Sequence, residues 1–394
     1  DGDFFYIRWS GEDNLGGGSR DEFALDDISI TGIAATPAPG NYTLQILHAS
    51  DLEGGVEAID RAKYFAALVD TLEETYANSI TLSAGDNYIP GPFFNAAADR
   101  ATFRDGGVFN NVYNRHFGVS TFDALREEGG RADITIMNII GFDASAVGNH
   151  EFDAGADAME QIIEEDFRNG SDGPTGDRWV GAQFPYLSAN LDFSGSGDLG
   201  NLYADGVLEN TAFASGPSES SAGNTSISKI AAATYISRGG EKIGVVGVTT
   251  PRVETISSPG EVQLVGPSTN DMPALADEIQ PWIDSLTMNE GIDKIILVSH
   301  LQQIQLEEEL AALLSDVDVI IAGGSDAILA NANDRLASGD VALKPYPVLK
   351  ENKDGDTLAI VSTDGEYSYV GRLVIEFDAN GKLIPSSIDS TISG

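Results

Sequence analysis

From Tyr42 onward, apolar segments of strand length alternate with amphipathic segments of helix length. The strand-like segments cover residues 42–50, 79–85, 143–148, 242–248, 294–300 and 317–324. The helix-like segments cover residues 58–76, 155–167, 272–286 and 305–314. This alternation predicts an α/β fold of βαβ units, because two neighbouring parallel strands need a helix-length crossover between them. Residues 347–351, 357–363 and 369–378 form a separate group that predicts antiparallel strands.

Residues 1–36 do not follow this alternation. They contain two strand-like segments around a Gly-rich loop at residues 16–18, and a Thr-Pro-Ala-Pro-Gly linker follows at residues 36–40. Because two strands do not make a stable sheet alone, we expect residues 1–40 to be a β appendage or the remnant of an upstream β domain. Residues 41–394 are expected to form the main domain. The start at Asp1, without methionine, indicates a processed chain or part of a longer precursor.

The acidity of the chain excludes some partners. It has 62 acidic and 22 basic residues, a net charge of −40, and such a field repels nucleic-acid polymers and anionic membranes. No run approaches the roughly 18 apolar residues of a membrane span. The acidity predicts a solvated coat, or structural Ca²⁺ sites at loops such as Asp354-Gly355-Asp356.

Cysteine is absent, which excludes disulfides, thiolate metal sites and cysteine nucleophiles. Together with the acidity, this favours a secreted, periplasmic or cell-surface location. Two Gly/Ser-rich stretches, residues 171–177 and residues 193–200 continuing to 215–226, predict surface loops. The oligomeric state is not indicated by any of these features.

Polar side chains follow five of the predicted strands. In chain order they are Asp51 and Glu53, then Asp86, then Asn149, His150 and Asp153, then His300, and finally Asp326. In open α/β sheets, sites lie at the carboxyl ends of the strands. A mixed set of oxygen and nitrogen donors suits divalent cations. For each aspartate taken alone, capping of the following helix is the alternative interpretation.

These residues stand in five short motifs, DLEGG, GDN, GNHEFD, SHL and GGSD. In this order the motifs resemble the five blocks of the calcineurin-like metallophosphoesterases, and the 5′-nucleotidase branch in particular. GNHEFD at residues 148–153, placed after GD at residues 85–86, is the most specific of them. The resemblance covers about residues 42–380. It implies a four-layer α/β/β/α sandwich that hydrolyses a phosphate ester by a metal-activated hydroxide between two divalent ions.

The resemblance also implies a role for each motif residue. Asp51 and Glu53 would hold the first ion, Asp86 would bridge both, Asn149 and His300 would hold the second, His150 would be the general acid, and Asp153 would orient it. The substrate would be a small phosphate ester, either a monoester or a diester as for alkaline phosphatase-type enzymes. Because the chain ends at Gly394, just after the metal domain, nucleotide specificity is not implied.

Two motifs depart from the family pattern. The first block is usually D-x-H, and here Glu53 stands in place of the histidine. The last block is usually GGHSH, and here residues 323–327 read GGSDA, where Asp326 is a candidate replacement ligand. Additional carboxylates favour hard cations, so we expect Mn²⁺, Mg²⁺, Fe or Ca²⁺ over Zn²⁺. The lost histidines also favour an alternative, a metal-binding scaffold or adhesion module that kept the fold but lost turnover.

Other side chains near the second block are candidates for a substrate pocket, although packing is the more common role for such residues. They are Asn87, Tyr88, Phe93 and Phe94, directly after Asp86, and Arg104, Arg115 and His116, between the second and third blocks.

Overall fold

The computed structural model describes residues 40–123, 125–165, 179–215 and 227–394. The predicted N-terminal appendage, apart from Gly40, lies outside the described residues. So do the Gly/Ser-rich stretch at residues 171–177 and residues 216–226 of the second one.

The strands of the described residues are β1 (Tyr42–Ala49), β2 (Ser79–Ser83), β3 (Ala144–Ala146), β4 (Tyr186–Leu187), β5 (Leu191–Asp192), β6 (Leu208–Glu209), β7 (Ile230–Ala231), β8 (Ala233–Arg238), β9 (Glu241–Thr249), β10 (Gln263–Leu264), β11 (Ile295–His300), β12 (Val319–Gly323), β13 (Val348–Glu351), β14 (Thr357–Val361) and β15 (Gly371–Phe377). The helices are α1 (Val56–Glu73), α2 (Pro92–Ala96), α3 (Val108–Phe117), α4 (Arg131–Ile140), α5 (Ala156–Ile163), α6 (Gly197–Asn201), α7 (Val253–Ile256), α8 (Met272–Asp284) and α9 (Ile304–Ala311). Single 3₁₀ or π turns cover Ala101–Asp105, His150–Phe152, Asn210–Phe213, Ser285–Asn289 and Pro385–Ser387.

Two large sheets organise the domain. The first has the strand order β15-β1-β2-β3-β4-β7, in which β1, β2, β3, β4 and β7 run parallel and β15 is antiparallel to β1. The second has the order β13-β14-β12-β11-β9-β8-β6, with β9, β11, β12 and β14 parallel. A small antiparallel pair joins β5 to β10. The predicted βαβ organisation is therefore confirmed in both sheets.

The hydrophobic core explains why the sheets stack. Successive side chains of a strand point to opposite faces, and in β1 both faces are buried. Leu44 and Ile46 pack in one cluster with residues of the second sheet and of α8, such as Ile296 and Ile279. Leu47 packs in the other cluster with residues of α1, α4 and α5. The layers are therefore helices, sheet, sheet and helices, as the predicted α/β/β/α sandwich requires.

Some local predictions were wrong. Residues 357–363 were expected to be antiparallel, but β14 is parallel to β12 and antiparallel only to β13. Helices α3 and α4, between the second and third motifs, were not predicted. Residues 193–200 were expected to be a surface loop, but they contain most of α6, which is anchored by the buried Leu199. A strand's apolar pattern does not encode its direction, and the short helices are fixed by packing.

Two further expectations concern calcium and membranes. In the loop between β13 and β14, Asp356 pairs with Lys382 at 2.7 Å, and Asp354 accepts hydrogen bonds from Ser315 and from the Asp316 backbone. These carboxylates therefore stabilise the turn and its neighbours. Among the helices of the described residues, none combines the length and apolarity needed to cross a bilayer.

Candidate metal centre

The carboxyl ends of β1, β2 and β3 lie side by side at one edge of the first sheet. Ala49 at the end of β1 is in register with Ser83 at the end of β2, and Ser83 is in register with Ser145 of β3. The loops that follow these strands carry Asp51, Asp86 and Asn149. The parallel register therefore brings three of the predicted ligands together.

Asp51 and Asp86 share an unusual backbone conformation. Their φ angles are 53° and 52°, in the left-handed region. This region is unfavourable for most residues other than glycine, although aspartate adopts it more readily than most. Both residues are almost fully buried, with 3% and 2% of their surface exposed. Strained backbone of this kind concentrates at functional sites.

The second sheet contributes His300, the last residue of β11. Its Nδ1 lies 2.8 Å from the Ala84 carbonyl, to which it donates, and this leaves Nε2 free to act as a ligand. Nε2 lies 2.8 Å from Asp86 Oδ2 and 3.8 Å from Asp51 Oδ1. The Gly324 N–H, just after β12, donates to Asp51 Oδ1 at 2.8 Å. The ends of the two sheets thus converge on the same carboxylates.

Potential ligand atoms form two overlapping groups, each within 4.8 Å. One contains Asp51, Asp86 and His300, and the other contains Glu53, Asp86 and His150. Asp86 belongs to both, as expected of a bridging residue. Glu53 Oε2 is buried without a hydrogen-bond partner among the described residues. The donor set and this unsatisfied oxygen fit divalent cations, although the grouping does not assign each donor to one ion.

Electrostatics supports the same interpretation. Burial raises the pKa of Asp51 to about 7, and burial together with Asp86 and Asp51 raises the pKa of Glu53. Burial alone would raise the pKa of Asp86, but the adjacent His300 and His150 lower it. Burial would lower the pKa of His300, but Asp86 and Asp51 raise it to about 10. Crowded buried carboxylates are costly, and a bound cation offsets that cost.

His150 is held by a carboxylate, as the sequence predicts. Its Nδ1 lies 2.5 Å from Asp153 Oδ2, and Asp153 Oδ1 accepts a hydrogen bond from Ser257 at 2.8 Å. Its Nε2 lies 3.9 Å from Asp86 Oδ2. Burial lowers the pKa of His150, but Asp86 and Asp153 outweigh that effect and raise it. His150 is therefore placed to hold a proton at the site, and it is also within reach of a cation.

A buried glutamate that the sequence analysis did not single out holds the two ligand loops together. Glu151 is fully buried and accepts backbone N–H bonds from Gly148 at 2.7 Å, Asn87 at 2.8 Å and Asp86 at 3.1 Å. Burial, with a contribution from Asp86, raises its pKa to about 7. The available signal was its position inside GNHEFD, between His150 and Asp153.

The remaining predicted ligands are Asn149 and Asp326. Asn149 is buried, and its Oδ1 accepts a hydrogen bond from Gln302, a residue that was not predicted. Asp326 joins neither ligand group. It is exposed and lies with Asp51 and Glu53 on the wall of a cavity of about 860 Å³, from where its charge acts on Asp51.

The pocket candidates directly after Asp86 do not lie on the wall of this cavity. Asn87 is fully buried, and its amide donates to Ser145, Glu151 and Tyr186. Tyr88 is buried and packs against Phe94, which is also buried. Asn87, Tyr88 and Phe94 are therefore part of the packed interior next to the Asp86 loop, and they stabilise that loop without facing the cavity.

The other four pocket candidates also lie off the cavity wall. Phe93 is half-buried in α2, and Arg104 pairs with Glu127 at 2.5 Å. Arg115 and His116 are exposed on α3, where His116 packs edge-on against Phe117. The cavity wall instead includes side chains from α1 and from the loop before β15, among them Arg61, Tyr64, Asp364 and Tyr369.

Known proteins with similar sequences are 5′-nucleotidases. The chain is 26% identical to the 5′-nucleotidase of Diplobatis ommata over 349 residues, which cover 86% of this chain and 46% of that protein. It is 27% identical to the 5′-nucleotidase of Mus musculus over 368 residues, which cover 89% of this chain and 49% of that protein. The chain therefore spans about half the length of the curated relatives it matches.

A solved structure shows the same fold. The 5′-nucleotidase precursor from Thermus thermophilus superposes with a TM-score of 0.57 at 23% identity, over 87% of this chain and 53% of that one. No protein-family model matches the chain. The fold and the sequence relatives agree with the resemblance of the five motifs to calcineurin-like metallophosphoesterases, since the sequence relatives are 5′-nucleotidases and a 5′-nucleotidase precursor has the same fold.

Proposed function

We propose that this chain hydrolyses small phosphate esters with the help of two divalent cations. The observation that carries the proposal is the overlap of two ligand groups on the single buried carboxylate of Asp86. The names of the sequence relatives, 5′-nucleotidases, support the same reaction class.

The family resemblance divides the donors into two sets around Asp86. Asp51 and Glu53, which share one loop after β1, would hold the first cation. Asn149 and His300, which come from different sheets, would hold the second. Such a pair of cations lowers the pKa of a shared water and stabilises negative charge on a phosphoryl group. The cations also counter the repulsion between a phosphate and a chain of net charge −40.

The protein's own groups supply the proton transfer. Asp153 accepts a hydrogen bond from the Nδ1–H of His150 and fixes the ring, while the Ser257 hydroxyl donates to Asp153 and orients it. A proton held on His150 Nε2 is thereby directed toward the site. We assign its transfer to the leaving oxygen, which is general acid catalysis. Burial lowers the pKa of the ring, but Asp86 and then Asp153 raise it by more, so the acid form persists to higher pH.

The cavity beside the ligands is the proposed place for the organic part of the substrate. Its wall combines acidic residues such as Asp364 with the aromatic rings of Tyr64 and Tyr369 and the guanidinium of Arg61. Phosphomonoesters, nucleotides among them, and phosphodiesters are the proposed substrates. The proposed location is secreted, periplasmic or cell-surface, since the cysteine-free chain has no thiol that an oxidising environment would modify.

The donor set supports hard cations. Asp51, Glu53 and Asp86 are carboxylates, Asn149 offers an amide oxygen, and imidazole nitrogens are few. Oxygen-rich sites bind Mn²⁺, Mg²⁺ or Ca²⁺ well relative to sites built from histidine and cysteine. Iron and zinc remain in the set to be compared directly.

The test is reconstitution of the chelated protein with each cation, followed by assays with a chromogenic phosphomonoester, a chromogenic phosphodiester and a nucleoside monophosphate. We expect turnover of at least one substrate that depends on added metal and is lost in Asp86→Asn. Metal binding without turnover of any of them would instead support the scaffold function, which Ser325 and Ala327 favour because neither supplies an imidazole.

A further inference from the structure

Gln302 has a backbone conformation that its residue type does not explain. Its φ is 72°, in the left-handed region, two residues after the ligand His300. Asp51, Asp86 and Asp326 have the same conformation, and all three lie at the metal centre or on the wall of the adjoining cavity. Glutamine, unlike glycine or asparagine, has no intrinsic tolerance for this region. The surrounding structure therefore imposes the conformation, as it does for residues with a function.

The side chain of Gln302 reaches into the metal centre. Its Nε2 donates to Asn149 Oδ1, the amide oxygen of a proposed ligand. A Cβ atom on Gly324 would lie 2.6 Å from Gln302 Nε2 and 2.8 Å from His300 Nε2. The amide of Gln302 and the imidazole of His300 therefore flank the same point, where only a glycine leaves room for both.

The loop after β12 lacks the donors that the family resemblance implies. Ser325 and Ala327 stand where imidazoles are expected, and Asp326 is exposed and belongs to neither ligand group. The side of the centre formed by Asn149 and His300 is thus short of ligands from this loop. Gln302 occupies that side from another loop.

We propose that Gln302 is a ligand of the second cation and replaces a histidine of the loop after β12. This inference rests on the two-metal centre proposed above. Half a turn of the side-chain amide exchanges Nε2 for Oε1 and changes a hydrogen-bond donor into an oxygen ligand. With a cation at Asn149 Oδ1 and His300 Nε2, the positive end of the N–H dipole is repelled and the oxygen is favoured.

The test is calorimetric titration of the metal-free protein with Mn²⁺, with metal content measured after desalting. The wild type should bind two ions. Gln302→Gly keeps the left-handed backbone and removes the amide, so we expect it to bind the second ion at least about 10- to 100-fold more weakly, the range for losing a partner of a metal ligand. The first ion should be unaffected.

Gln302→Glu separates a ligand from a mere hydrogen-bond donor. A glutamate keeps an oxygen ligand and adds charge, so it should bind the second ion as tightly as the wild type or more tightly. If Gln302 serves only to donate to Asn149, the glutamate, which has no N–H, should be as weak as Gln302→Gly. The neighbouring exposed residue provides matched controls, Gln303→Gly and Gln303→Glu, which should titrate like the wild type.

The possible failures are distinguishable. A wild type that binds fewer than two ions would overturn the two-metal centre itself. A wild type with two ions and an unchanged Gln302→Gly variant would overturn only the role of Gln302. Weak binding by both Gln302→Gly and Gln302→Glu would also overturn it. Circular dichroism of each metal-free variant verifies that the binding change does not come from unfolding.

Discussion

The two sheets contribute to the candidate metal centre in different ways. The ends of β1, β2 and β3 in the first sheet supply Asp51, Asp86 and Asn149, and the loops are joined by the buried carboxylate of Glu151. The ends of β11 and β12 in the second sheet supply His300 and then a loop without imidazoles. The comparison shows that the first sheet departs from the family pattern at one donor, Glu53, while the loop after β12 has none of the imidazoles of that pattern.

A physical reason for this difference lies in what each loop supports. The carboxylate of Glu151 accepts N–H groups from both the Asp86 loop and the Asn149 loop, so a change in one loop disturbs the other. The loop after β12 is tied to the centre chiefly by the backbone N–H of Gly324, a contact in which the side chains of Ser325, Asp326 and Ala327 take no part. Side chains there can change while the loop keeps its contact with Asp51.

The largest effect is expected from a change of Asp86, which belongs to both potential ligand groups. Asp86→Asn should reduce binding of both cations and lower kcat/KM by more than the roughly 10²–10³-fold that follows loss of one transition-state donor. Metal content and steady-state kinetics measure it, with Asp60→Asn on the surface of α1 as the control. Retention of both ions by Asp86→Asn would contradict a shared ligand.

The next effect separates proton transfer from metal binding. His150→Ala should lower kcat by roughly 10²–10⁴, the range for lost acid–base help, while metal content stays near that of the wild type. His116→Ala, on exposed α3, is the matched control. Because His150 also lies in a potential ligand group, loss of an ion together with the rate would show that it is a ligand and that the assignment as acid is wrong.

A third variant tests whether the Glu151 carboxylate holds the Asp86 loop and the Asn149 loop together. Glu151→Gln places an amide NH₂ against backbone N–H donors, and leaving such groups unsatisfied should lower the free energy of unfolding by about 1–3 kcal/mol. Chemical denaturation of the metal-free protein measures this, with the exposed Glu57→Gln for comparison. Equal stability of the two variants would mean that Glu151 does not join the ligand loops.

The smallest effect concerns metal preference on the first sheet's side. Glu53→His restores the nitrogen donor that the family pattern has, so reactivation of the chelated protein should shift toward Zn²⁺, and the pH optimum should move down from an alkaline value. Activity measured with each cation across pH tests this against Glu57→His. If both profiles stay unmoved, or if Zn²⁺ alone reactivates the wild type, Glu53 is not a ligand.

The sequence predicted the parts of the centre that depend on strand order. Asp51, Asp86 and His300 follow apolar strands directly, and parallel strands end at one edge, so their convergence could be expected. The four-layer stacking could be expected from the family resemblance. Strand direction at β14 could not, because an apolar pattern is the same in either direction.

The residues that were missed depend on contacts between distant segments. Whether Asn87 and Tyr88 face a cavity or the core depends on how β3, β4 and α4 pack around them, and periodicity does not report this. Gln302 gave no signal in sequence, since its importance comes from a left-handed backbone and from Asn149, 153 positions earlier. Tertiary contacts of this kind appear only once the chain is folded.

The most direct test of the account is a crystal structure of the protein grown with Mn²⁺, with anomalous scattering used to locate the ions. The account predicts two anomalous peaks on either side of the Asp86 carboxylate, one beside Asp51 and Glu53 and the other beside Asn149 and His300. A single peak, or ions bound away from Asp86, would contradict a two-metal centre formed where the two sheets meet.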